Sequence, residues 1–199
     1  MDIKVNSSTL SLLREGKGYL VSVRKKRYAT REYIVEIGPL HLAMYSLFTY
    51  HWPKKYLEYS AWMVSFYPLD AVFSASRTDL FRADSSMMYT RKELEQLMVE
   101  GIGAAMQDFM AKQSSGILVA VAVRENLGKL YHRLLLRHAE DVGYYYHQTY
   151  RQEALYVIEK KWTHPNPLSV TFKRSPRQSH RACVGLHAGE RRSALATGA

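Results

Sequence analysis

The chain is poor in the features that would assign it quickly. Its 199 residues hold one cysteine, Cys183, so no internal disulfide framework can staple the fold, and a reducing compartment is the expectation. The opening Met1-Asp2-Ile3-Lys4 lacks the basic-then-apolar pattern of a secretory signal, which adds to the expectation of a cytoplasmic protein. No apolar run approaches the roughly 20 residues that cross a bilayer, so no membrane partner is expected. Eight histidines include no i, i+4 pair around an acid and have no partner cysteines, which argues against structural zinc and zincin chemistry. No G-x-S-x-G elbow, P-loop or strand-linked G-x-G-x-x-G is present, leaving serine hydrolase, nucleotidase and dinucleotide-binding readings without support. Acidic residues are the scarcer sign of charge.

Lysine and arginine outnumber the acids 28 to 18, for a formal net charge of +10. Such a balance favours polyanionic partners, among them nucleic acid or a phosphate-bearing cofactor, and says nothing about fold. About half of the excess lies beyond Lys161, where Lys173, Arg174, Arg177, Arg181, Arg191 and Arg192 face Glu190 alone. Residues 162–199 also lack a periodic apolar pattern and open with closely spaced prolines, which predicts a basic, disordered tail after one globular domain over residues 1–161.

Within that domain, Ile3-Lys4-Val5 reads as a short strand and Ser7–Arg14 as a helical turn. Tyr19–Val23 and Tyr33–Ile37 read as an antiparallel pair, rich in β-branched and aromatic residues and bounded by glycines. Between them runs Arg24, Lys25, Lys26, Arg27, Tyr28, Ala29, Thr30 and Arg31. This basic loop is either a solvated hairpin connection or a phosphate-contacting patch for nucleic acid. Pro39 suits the first position of a helix continuing to Tyr50, and Tyr59–Tyr67 with Leu69–Ser74 predict two strands or one bent strand. Residues 74–88 read as a loop.

The stretch from Thr90 to Lys161 is the best specified. Thr90-Arg91-Lys92-Glu93 is a capping box, and Leu94, Leu97, Met98, Ile102, Ala105, Met106, Phe109 and Met110 repeat at helical spacing behind it. Ile117–Val123 carries no polar residue, as expected of a central strand buried on both faces. A second helix over residues 125–141 has Leu127, Leu130, Tyr131, Leu134, Leu135, His138 and Ala139 on its apolar stripe and ends at Gly143. Tyr144–Tyr150 and Ala154–Lys160 close the domain as strands. Helix, buried strand, helix implies a crossover and a parallel pair, so the class is α/β in the α+β sense. Its central sheet should be mixed and mostly antiparallel, with one parallel helix-crossover segment.

Over residues 90–161 this order, together with Gly101-Ile102-Gly103-Ala104-Ala105-Met106, Arg124-Glu125-Asn126, Leu130-Tyr131 and Gly143-Tyr144, resembles the GNAT acyl-CoA N-acyltransferase fold. The resemblance implies acetyl-CoA or another acyl-CoA as cofactor, a small-molecule or protein amine as acceptor, and no metal. It implies that Gly101, Gly103 and Asn126 contact the cofactor, with the two glycines framing a turn whose N–H groups hold the pyrophosphate. It also implies that Tyr131 is the general acid that protonates the departing thiolate. Two readings of these residues stay open. A single helix beginning at Thr90 would contain both glycines and would put its unpaired N–H groups near Met87–Arg91, within reach of Arg82. Tyr131, on the buried stripe, would serve equally as a core tyrosine with a satisfied hydroxyl. Glu36, Asp70 and Glu125 are candidate bases. The alternative function is a non-enzymatic basic protein of the same fold that binds nucleic acid or another macromolecule through Arg24–Arg31 and the tail.

Overall fold

Alternation builds the first half of the sheet. β1 (Asp2–Ser8), β2 (Lys17–Arg24), β3 (Arg31–Pro39) and β4 (Ala61–Pro68) form an antiparallel succession in which Val5 faces Val21, Val21 faces Tyr33 and Val35 faces Phe66. The remaining strands, β5 (Ile117–Val121), β6 (Tyr144–His147) and β7 (Leu155–Lys160), complete a seven-stranded sheet of order β1-β2-β3-β4-β5-β7-β6. Its one parallel pair joins β4 to β5. The computed structural model describes residues 1–11, 15–26, 30–73, 87–113 and 116–161, within the compact unit Met1–Thr163. The predicted tail, Arg27 and most of the predicted 74–88 loop, with Arg82, lie outside the described residues.

The fold class expected from the sequence is the one observed: a mixed, mostly antiparallel sheet with helices and one parallel crossover. The crossover is a helical run in three parts. α3 (Arg91–Gln96) is followed by a π-helical segment (Leu97–Gly103) and then by α4 (Ala104–Lys112). Thr90 caps it through the predicted box, its hydroxyl accepting from the Glu93 N–H while the Glu93 carboxylate accepts from the Thr90 N–H. α5 (Glu125–His138) links β5 to β6. It ends in a glycine-closed turn, with Tyr144 N–H donating to the Ala139 carbonyl, Gly143 N–H to that of Glu140, and Gly143 at φ 84°.

Both long helical segments pack on one face of the sheet. There Val21, Val35, Leu118, Phe109 and Ala105 are essentially sealed from solvent. The opposite face is covered by the short α1 (Tyr45–Phe48) and α2 (Lys54–Ser60), which bury Phe48, Leu57, Ile117 and Val119. On that face Trp52 Nε1 donates to Glu159, whose other carboxylate oxygen lies 2.9 Å from His147 Nε2, and His51 Nδ1 lies 2.6 Å from the Tyr150 hydroxyl.

Several local expectations are corrected. Pro39 ends β3 instead of opening a helix, because Pro39 pairs opposite Trp62 in the sheet. Pro53 precedes α2, whose backbone N–H groups at Tyr56 and Leu57 reach its carbonyl. Tyr59 and Ser60 are therefore helical, and the second strand expected at Leu69–Ser74 is a 3₁₀ turn over Leu69–Phe73. Ser7 and Ser8 belong to β1, paired with Tyr19 and Gly18, and not to a helical turn.

Candidate functional site

The central strands part company halfway along. β4 and β5 are paired from Ala61↔Ile117 to Val64↔Ala120, and there the pairing stops. β4 continues through Ser65, Phe66, Tyr67 and Pro68 against β3 alone, while β5 ends at Val121 and the chain turns into α5. In a strand, alternate N–H and C=O groups point to opposite neighbours, so among the described residues no strand pairs with the β5-facing edge of this part of β4. A cavity of about 1030 Å³ fills the gap, walled by Met63–Pro68 on one side and by Val121, Val123 and the first turns of α5 on the other. Val121 and Val123, expected to be buried on both faces, are 39% and 49% exposed because they face this gap.

Tyr131 stands inside it. The residue is only 8% exposed, its ring contacts Phe66 and packs edge-on against Tyr156, and its hydroxyl makes no hydrogen bond among the described residues. The ring is buried while the hydroxyl opens on the gap without a side-chain partner among the described residues, so a core role with the hydroxyl bonded inside the protein is not what is found there. Burial, and then Tyr156, push its phenol well above the usual tyrosine range, while the Arg124 guanidinium pulls the other way. The close approach of Tyr156 depends on Gly128, since a side chain there would collide with the Tyr156 hydroxyl.

The rest of the wall is charged and aromatic. Tyr33 and Tyr89, joined hydroxyl to hydroxyl at 3.1 Å, line it together with Arg91, Arg124, Asn126, Lys129 and Arg133. Asn126 is exposed in the first turn of α5. Glu95 receives Arg133 at 2.8 Å, Arg91 at 3.4 Å and Arg137 at 3.6 Å. Burial opposes ionisation of Glu95, yet the three guanidiniums hold its carboxyl below the ordinary range. Arg91, Arg124, Lys129 and Arg133 on the wall against Glu125, with Glu95 beside them, leave the rim net positive.

Gly101 and Gly103 are not at a loop-to-helix turn. Both lie within the continuous helical run, where N–H groups are directed at carbonyls of the preceding turns. Gly101 instead permits close packing: a Cβ there would sit 2.9 Å from Val21 Cγ1 and 3.2 Å from Leu97 Cδ1. The helix begins at Thr90, as the alternative reading required, but its start is already occupied by a carboxylate. Glu93 bonds the Thr90 N–H and also Lys25 Nζ at 2.9 Å, and those contacts, Lys25 foremost, hold its pKa down at about 2.

The basic loop is drawn into the fold at two positions. Lys25 is spent on Glu93 and the Met87 carbonyl, and Arg31 on Asp70 at 2.9 Å. Arg24 and Lys26 are exposed. Of the candidate bases, Asp70 is thus paired with Arg31 and Glu125 with Lys129. Glu36 is 4% exposed and accepts from Ser11 Oγ at 2.6 Å and from the Tyr67 hydroxyl at 2.8 Å. Tyr67 lines the gap, so Glu36 is linked to it.

No family model, curated protein or solved structure matches the chain. Among the described residues no group of three or more His, Cys, Asp or Glu side chains is arranged to hold a metal ion, and no helix is long and apolar enough to cross a membrane. Residues that sequence reasoning passed over include Phe66, Tyr67, Val121 and Tyr156. They read as ordinary strand residues, and only the parting of β4 from β5 makes them a site.

Proposed function

We propose that the chain is a GNAT-like N-acyltransferase that moves an acyl group from acyl-CoA to an amine. The observation that carries this reading is the parted β4–β5 pair with an unpartnered, buried tyrosine in the gap. A thioester arm fits between two strands that have ceased to pair with each other, because the β4 edge can offer backbone hydrogen bonds to the donor's amides. The net-positive rim around Glu95 suits the phosphates at the other end of the same donor.

In the proposed reaction the lone pair of a neutral amine attacks the thioester carbonyl carbon. A β4 backbone N–H at the gap stabilises the oxyanion. The tetrahedral intermediate collapses with cleavage of the C–S bond, and the electron pair leaves on sulfur. Tyr131 gives its phenolic proton to the thiolate, and Arg124 eases the phenolate that forms. The nitrogen sheds its extra proton towards Tyr67 and Glu36, and solvent returns a proton to Tyr131. The products are an amide and CoA. Gly101 and Gly103 serve packing in this scheme, and Asn126 sits at the mouth.

Titration of the purified protein with acetyl-CoA while following its melting temperature tests the reading. A saturable rise is expected, since a ligand bound only by the folded state stabilises by RT ln(1 + [L]/Kd). No rise at millimolar donor would overturn it. With an amine panel, release of free CoA thiol should follow only in the presence of the acceptor.

A further inference from the structure

A second cavity adjoins the first, and its chemistry differs. It occupies about 140 Å³ between the π-helical segment, α4 and α5, over the β4, β5 and β7 surface. Its lining includes Met98, Ile102, Met106, Leu134, Leu135 and Leu118, with no acid, lysine or arginine; its polar-bearing side chains are Gln107, His138 and three tyrosines. Val64, Phe66 and Tyr131 line both cavities, so Tyr131 stands where they meet.

The space is open on one side, and its apolar walls gain contacts and lose exposure to water when an apolar group covers them. An enclosed apolar cavity of about 150 Å³ takes up a six-carbon ring. The volume here matches that scale. The π-helical segment (Leu97–Gly103), with Gly103 bare of a side chain, forms one wall.

Resting on the acyltransferase reading, we infer that the second cavity holds the acyl chain of the donor, and that the donor is an acyl-CoA with an unbranched apolar chain of about six carbons. The thioester then lies at Tyr131, the CoA arm runs through the β4–β5 gap, and the chain points between α5 and the π-helical segment. An acetyl group would leave the void empty. A hexanoyl group fills it, and each buried methylene should tighten binding roughly fourfold.

Calorimetric titration with free CoA, acetyl-CoA, butanoyl-CoA and hexanoyl-CoA tests this on the unaltered protein. Affinity is expected to climb along the series, with hexanoyl-CoA at least tenfold tighter than acetyl-CoA. Equal affinity for acetyl-CoA and hexanoyl-CoA overturns the chain site and leaves the acyltransferase reading standing. Failure of all four, free CoA included, overturns both. Leu135→Trp and Met106→Trp each fill the second cavity without touching the lining of the first. At least one of them, verified as folded by its melting transition, should lose the hexanoyl advantage while binding acetyl-CoA as before. If both fold and keep the advantage, the chain lies elsewhere.

Discussion

A hydroxyl without a partner is the most informative single group in this molecule. Deleting a hydroxyl bonded inside the protein typically costs about 1 kcal/mol, whereas one that opens on the gap gives up no described partner. Tyr131→Phe is therefore expected to melt at the wild-type temperature or slightly above it, and to bind the acyl donor normally. Its rate of CoA release should fall by roughly a hundredfold or more, the range for a lost general acid. A stability loss with an unchanged rate would return Tyr131 to the core. Glu93 makes a separate prediction. Its folded pKa of about 2 lies below the ordinary glutamate value of 4.5, so its contribution is complete above pH 4.5 and is lost as pH falls from there towards 2. Wild type should melt above Glu93→Gln at neutral pH, and the difference should close through that acidic window. A gap that is constant with pH would show that the Lys25 pair contributes nothing through ionisation.

At the scale of elements, the helical run from Arg91 to Lys112 shows how one stretch serves two demands. Its capping box and apolar stripe are local instructions, and they were legible in the residues. The stripe also carried the choice between a phosphate turn at Gly101–Gly103 and an uninterrupted helix, and packing decided it: Gly101 lies against Val21 and Leu97. Gly101→Val should destabilise by about 1–3 kcal/mol, the usual cost of overpacking, seen as a lower denaturation midpoint with unchanged slope. A neutral result would mean that the helix can shift away from the sheet. Gly143 acts through conformation instead. With φ at 84° and nothing within 4 Å of a built Cβ, Gly143→Ala should cost about 1 kcal/mol from the left-handed backbone alone. The elements that sequence reasoning missed, α2 above all, are short. Lys54–Ser60 is a two-turn helix whose tyrosines and leucine fit a strand pattern equally well, and a segment that brief takes its state from the surface it covers.

For the whole molecule, the parted sheet should be visible in exchange kinetics. Amides within the paired span Ile117–Ala120 are buried between two neighbours and should exchange slowest, near the global unfolding limit. Alternate amides in Ser65–Tyr67 face the gap and should exchange much faster, becoming protected when acyl-CoA is added. Full protection without ligand would mean that the gap closes in solution.

Sequence by itself determined the parts whose cause is local. Alternation made strands of Tyr19–Val23 and Tyr33–Ile37, a period near 3.6 made the two long helices, and the helix-strand-helix order required the parallel crossover. The gap had no such cause. Val121 and Val123 continue the apolar run of Ile117–Val119 without a break, so nothing in the residues marks where pairing ends. That point is set by β4 following β3 while β5 turns into α5. The same holds for Tyr131: a place on the apolar stripe predicts burial, but whether its hydroxyl finds an acceptor depends on side chains from other elements. Tertiary structure decided both, because a missing partner is a property of what surrounds a group and not of the group itself.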